Sequence, residues 1–130
     1  DFDRKPDYYD AIFTGDLGRY GKELLEYILS KEGIVLPDTY MDTGASYFKP
    51  EQQTFQGGSG AGCVSTVFNG YILNKLENGS LSRILVVPTG ALLNKDTPLQ
   101  KETIPGISHA FVVETEKIKE KYSKKHQNKE

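Results

Sequence analysis

Apolar residues fall in a few blocks along the 130-residue chain, and each block has its own period. Residues 10–13, DAIF, are short, apolar and soon followed by glycine, which predicts a buried strand. Leu24, Leu25, Ile28 and Leu29 recur at helical spacing, with Glu23, Glu26 and Lys31 opposite, so residues 22–31 read as a helix. Gly33 stands where a left-handed cap residue belongs. Residues 34–36, IVL, meet Pro37, so a strand there is short or restarts at Thr39. Residues 43–60 are rich in Gly, Gln, Ser and Thr and read as a weak strand followed by a loop. A second helix follows, with Val64, Val67, Phe68, Tyr71, Ile72 and Leu76 on one stripe and Asn78-Gly79 ending it. Residues 83–87, RILVV, and 109–114, HAFVVE, are strands separated by a long loop over 89–106. The order strand-helix-strand-helix-strand-strand defines an α/β layer with some parallel pairing.

Composition narrows the class further. The length favours one domain. A net charge of −2 gives no reason to expect nucleic acid, and no apolar run approaches the roughly 18 residues of a membrane span. One cysteine, Cys63, excludes an internal disulfide and suits a reducing compartment. The chain opens on Asp1, which points to processing or to a fragment of something longer. Residues 115–130 hold six Lys and three Glu and little that can be buried. They read as a solvated helix or frayed end, with a patch for anionic lipid or an acidic partner as the sharper alternative.

Four stretches carry candidate chemistry. TGDLGRYG, residues 14–21, has the glycines of a dinucleotide loop leading into a helix, so a nicotinamide-dependent reductase is one reading. Asp38 lies at about the right distance for a ribose acid, near 20 residues on, but Pro37 interrupts the strand that should present it. Asp16 also sets a carboxylate where phosphate would lie. MDTGAS, residues 41–46, contains the Asp-Thr-Gly of retroviral-type aspartic proteases, yet two patterned helices do not suit that nearly all-strand fold. FQGGSGAGCVST, residues 55–66, removes side chains just before a helix N-terminus, which suits an anion, a carbonyl oxygen or a close backbone neighbour. Cys63, in that helix's first turn, is either a small packed thiol or a reactive one. His109 could face a pocket, but no second His stands at ligand spacing, so zinc is unsupported.

The order TGDLG, DTGAS, GGSGAGC, RILVVPTGALL and IPGISHA resembles the C-terminal part of the stage V sporulation protein AD family. The resemblance spans about residues 8–114. It implies an α/β chain forming the C-terminal half of a thiolase-like fold: a mixed sheet with packed helices, β-α-β-α-β-β, over residues 1–114, with 115–130 as a charged Lys-rich tail. The family's fold stacks two such halves in five layers, so the partners it implies are an N-terminal thiolase-like half of the same protein and a homodimer.

The family is associated with the spore inner membrane and with uptake and release of dipicolinic acid. The resemblance therefore implies dipicolinic acid as ligand and other sporulation stage V membrane channel proteins as partners, with a role in germination and transport. It places the protein peripherally on the forespore side of the inner membrane, with no transmembrane segment. No cofactor is expected beyond calcium accompanying dipicolinate, for which Asp16 and Asp42 are the candidate carboxylates. Condensing enzymes of this superfamily carry a His after the first strand of this segment and an Asn in the loop opening the second helix. Those positions fall here in Thr14-Gly15-Asp16 and Gly58-Ser59-Gly60, so the resemblance implies a binding protein without catalysis. Thr14, Gly15, Asp16, Gly58, Ser59, Gly60 and His109 are then the candidate ligand residues, with Phe55 or Tyr47 for aromatic stacking. The competing enzyme reading is acyl transfer on Cys63. A half alone is also expected to expose apolar surface and to associate.

Overall fold

A computed structural model describes residues 3–88, 95–103, 106 and 108–116. Four strands form one mixed sheet in the order β2-β1-β3-β4: β1 (Ala11–Thr14), β2 (Met41–Asp42), β3 (Arg83–Val87) and β4 (Phe111–Glu114). The central strand β1 is parallel to both neighbours, pairing Phe13 with Met41 and Ile12 with Leu85. β4 returns antiparallel on β3, with Val112 opposite Leu85. Parallel neighbours require crossovers, and two helical segments supply them. The first is α1 (Gly18–Lys31). The second is a continuous run over 63–77, built from α2 (Cys63–Val67), a π-helical turn (Phe68–Ile72) and α3 (Leu73–Glu77).

Side-chain alternation along the strands divides the core between the two faces. Ala11, Phe13, Ile84 and Val86 pack on one side with Ile72 and Leu76 of the 63–77 run. Tyr9, Ile12 and Tyr40 pack on the other with Leu25, Leu36, Leu85 and Val112. Polar ties fix the strand register at the opposite edge from the glycine loops. The Asp10 carboxylate accepts from the amides of Ser82 and Arg83 at 2.7 and 2.8 Å, and Arg83 donates to Glu114 at 2.6 Å. The Arg83 guanidinium also lies 3.9 Å from the centre of the Tyr8 ring, where the face of the π-system attracts it.

The element order, the mixed sheet and β3 match the sequence pattern. The differences have physical reasons. α1 starts at Gly18 rather than Lys22, because its first turn is held by groups far along the chain (below). Leu25 turns to the sheet, whereas Leu24 and Ile28 are 58% and 50% exposed, so the four-residue apolar cluster is divided between two faces. β2 comes at Met41–Asp42, after the 34–36 block, and no strand follows it within residues 43–60. In the 63–77 run the π turn advances the helix phase, and Tyr71 moves outward to 44% exposure instead of joining Ile72 and Leu76. The 89–106 connection contains a short helix, α4 (Asp96–Leu99). Residues 89–94 and the 117–130 part of the tail lie outside the described residues.

The C-terminal end of α1 follows a local rule. Gly33 has φ +74° and donates to Ser30, while Ile34 donates to Leu29, the paired bonds of a Schellman cap. Leu25→Ala therefore costs about 1–2 kcal/mol, while Leu24→Ala stays within about 0.5 kcal/mol. Urea unfolding of the two variants checks this face assignment.

Candidate functional site

β1 and β2 run parallel, so their C-terminal ends, Thr14 and Asp42, emerge at the same edge of the sheet. The loops that follow meet the glycine loop there, and backbone contacts hold the three together. Thr43 donates through its amide to Thr14 and through its hydroxyl to Gly15, both at 3.0 Å. The amide of Gly58 donates to the Gly44 carbonyl at 2.8 Å. Side chains would prevent this approach. A Cβ on Gly44 would lie 2.6 Å from the Gly58 oxygen, and one on Gly57, which has φ +106°, would overlap the Gly44 carbonyl.

At the centre is Asp42, fully buried. Its Oδ1 accepts from the amides of Gly18 at 3.0 Å and Ala45 at 2.8 Å. Its Oδ2 accepts from the Thr14 hydroxyl at 2.9 Å and the Leu17 amide at 3.1 Å. Gln56 completes the cap: its carbonyl accepts from Arg19 and its side-chain oxygen from Tyr20, both at 3.1 Å. The amides of Leu17, Gly18, Arg19 and Tyr20 are the four that an α-helix leaves unpaired at its start. All four are satisfied from within the chain, and a carboxylate supplies the negative charge that the helix dipole favours. None of these amides remains to cradle a pyrophosphate, which removes the physical basis for a dinucleotide loop at TGDLGRYG. Asp42 is likewise sealed in by donors rather than presented as a protease carboxylate.

The remaining polar groups are similarly engaged. Asp16 Oδ2 accepts from the Ser59 hydroxyl and the Gly60 amide, both at 2.8 Å. The Thr14 hydroxyl also lies 2.9 Å from the Tyr40 hydroxyl. Burial, reinforced by the charges of Asp42 and Glu26, pushes the Tyr40 phenol up to about 12, against the pull of its Thr14 hydrogen bond. Burial likewise raises the Cys63 thiol, with a hydrogen bond to Thr43 acting the other way and Asp16 and Asp42 adding to the rise. A buried, protonated thiol is a weak nucleophile at neutral pH.

The structure thus brings Thr14, Gly15, Asp16, Gly58, Ser59 and Gly60 to one edge, with Ser59 and Gly60 exposed. His109 stands elsewhere, in a cleft of about 580 Å³ with Asp3, Arg4, Lys5, Tyr9 and Ser108. Asp42 and Asp16 do not suit calcium: the Asp42 oxygens face four N–H and O–H donors, and Asp16 Oδ2 faces two more. No group of three metal-ligating side chains occurs among the described residues. Sequence reading missed Gln56 and the capping role of Asp42. The one local signal was Asp-Thr-Gly after a strand, because Asp42 also bonds the amide of Ala45 three residues on, as turn aspartates do.

These features define an α/β sheet domain whose site-bearing edge is built from interlocked glycine loops and a buried carboxylate. Residues 1–114 match the family model described as Stage V sporulation protein AD. Over 114 residues the chain is 42% identical to the Stage V sporulation protein AD of Bacillus subtilis (strain 168), a match covering 88% of this chain and 34% of that protein. The chain belongs to the Stage V sporulation protein AD family and spans about a third of the length of this relative.

Two outcomes test the site. Asp42→Asn turns an amide NH₂ toward backbone and hydroxyl donors and costs about 3 kcal/mol, read from chemical unfolding midpoints. Tyr40 ionises near 10 when unfolded and near 12 when folded. The unfolded chain therefore releases this proton first, and stability falls as pH rises from about 10 to 12. Tyr40→Phe removes that part of the slope in unfolding measured across this range.

Proposed function

We propose that the chain is the C-terminal part of a non-catalytic, thiolase-like sporulation protein that binds dipicolinic acid and takes part in its uptake into and release from spores. In this reading the protein works with other stage V channel proteins, peripherally at the spore inner membrane, pairs with an N-terminal half of the same fold, and forms a homodimer. Membership of the Stage V sporulation protein AD family carries the sporulation role. No helix among the described residues is long and apolar enough to cross a membrane, which accords with peripheral attachment.

The non-catalytic part rests on one observation. The two turns where condensing enzymes hold His and Asn, at residues 14–16 and 58–60, meet at one edge and contain neither side chain. An oxyanion or a decarboxylating group would lack the donors that such chemistry needs. Cys63 does not replace them, since its thiol is buried and its ionisation is suppressed. Acyl transfer is therefore the weaker reading.

Dipicolinate is a flat aromatic dianion. Thr14, Gly15, Asp16, Gly58, Ser59 and Gly60 form the proposed small-residue wall of its site, with the exposed Ser59 hydroxyl as a polar contact. His109 lies in a separate cleft, where Arg4 and Lys5 bring positive charge beside Asp3, and it is kept in this reading as a further ligand contact. Calcium enters as the ligand's chelated companion, as cargo.

Calorimetry on the full-length polypeptide that carries this chain tests the reading. Saturable heat with dipicolinate, with or without calcium, is expected, and Cys63 stays unmodified by acyl thioesters in intact-mass measurements. No heat at millimolar ligand overturns the ligand assignment, and an acylated Cys63 overturns the non-catalytic one.

A further inference from the structure

Two Asn-Gly pairs stand in the second crossover, Asn69-Gly70 and Asn78-Gly79, and the dipeptide alone does not rank them. An asparagine before glycine is chemically labile, because glycine has no Cβ to screen its backbone nitrogen from the preceding side chain. That nitrogen, once deprotonated, attacks the asparagine Cγ. A C–N bond forms, the side-chain nitrogen leaves as ammonia, and a cyclic succinimide results. Water then opens the ring at either carbonyl and gives aspartate or isoaspartate. Water is the sole co-reactant, and nothing is oxidised or reduced.

The fold treats the two pairs differently. Asn69 lies in the π turn of the 63–77 run, and its side-chain nitrogen donates to the Ser65 carbonyl at 2.8 Å. The side chain is therefore drawn back along the helix, away from the Gly70 nitrogen that would attack it. Helical backbone on both sides holds Gly70, and Ile72 beyond it is fully buried. Asn78 is instead the C-cap residue of α3. Its Oδ1 accepts from the amide of Ser80 at 2.9 Å, so the side chain reaches forward and spans the Gly79 peptide. The same bond polarises the carbonyl that is to be attacked.

Access and mobility favour the same pair. Residues 77–80 are all exposed, so water and hydroxide reach the turn. The attacking nitrogen of Gly79 is held on the Leu76 carbonyl at 3.2 Å, the long end of the usual range, at a helix end that opens locally. Gly79 has φ +77°, so the turn itself calls for the glycine that makes the pair labile. We infer that, among the described residues, Asn78-Gly79 is the site of spontaneous deamidation and isoaspartate formation, and that the fold protects the identical pair at Asn69-Gly70. The conversion acts on the core. Isoaspartate routes the main chain through its Cβ, just before the amides of Gly79 and Leu81 that close the helix on Leu76 and Lys75. Leu81 packs on the cluster of Ile72, Leu76 and Ile84, and Ser82 and Arg83 after it are tied to Asp10. The new carboxylate also adds negative charge at the negative end of the helix dipole, beside Glu77.

The experiment ages the full-length polypeptide in mildly alkaline buffer and reads each asparagine by peptide mapping, with electron-transfer fragmentation to separate isoaspartate from aspartate. In the folded protein Asn78 converts roughly tenfold faster than Asn69, and in urea the two rates come within about twofold of each other. An Asn69 that converts as fast as Asn78 in the folded protein overturns the inference. An Asn78 that stays intact there does the same. A rate ratio unchanged in urea makes neighbouring sequence the cause and overturns the protective role of the fold. Asn78→Gln, which must close a larger ring and reacts far more slowly, supplies a second readout. On ageing, the unaltered polypeptide loses several degrees of melting midpoint and the variant keeps its own. Equal losses overturn the effect on the helix-to-strand corner.

Discussion

The buried carboxylate of Asp42 is the interaction on which the site-bearing edge depends. An ion taken out of water is costly unless donors replace its hydration. Here four donors from three chain segments do so: Thr14 at the end of β1, Leu17 and Gly18 at the start of α1, and Ala45 in the turn after β2. The same bonds saturate the helix N-terminus. One side chain therefore fixes the angle at which α1 leaves the sheet, the distance between β1 and β2 at their ends, and the turn that passes toward the glycine loop.

That arrangement changes the chemistry available to the motifs. A glycine-rich strand-to-helix turn is usually read as a place for phosphate, and Asp-Thr-Gly as a place for a catalytic acid. In this chain each neutralises the other. The amides that could bind an anion are taken by Asp42 and Gln56, and the acid that could activate water is taken by the amides. Facing outward at this edge are Ser59, Asp16 bridged to Ser59 and Gly60, and the Tyr47 ring packed beside Gly58.

Much of the fold was legible because it is local. The β-branched run at 83–87, the helical stripe ending at Asn78-Gly79 and the cap at Gly33 each follow from side chains close in sequence. What was hidden is long-range. Leu24 and Leu25 look alike in a pattern of apolar residues, and only the sheet decides which one is buried. Tyr71 reads as a core residue until a π turn shifts the helix phase. At the site, the grouping of residues 14–16 with 58–60 was implied by the family resemblance and not by the residues themselves, and Gln56 gave no signal, since a glutamine in a polar loop is unremarkable until its partners are known. His109 sits with Arg4 and Lys5, and nothing near it in sequence announces those neighbours.

The long-range character of the α1 cap also bears on how the chain comes together. Residues 22–31 have a helical pattern of their own, but the turn from Gly18 is closed by Asp42, 24 residues later, and by Gln56, 36 residues beyond Tyr20. Closing such loops costs chain entropy before any bond rewards it. The C-terminal end of α1 is closed by neighbours in sequence through the Gly33 cap, whereas its first turn is complete only with the β2 turn and the glycine loop in place, so the site edge is the part of the helix most dependent on the tertiary fold.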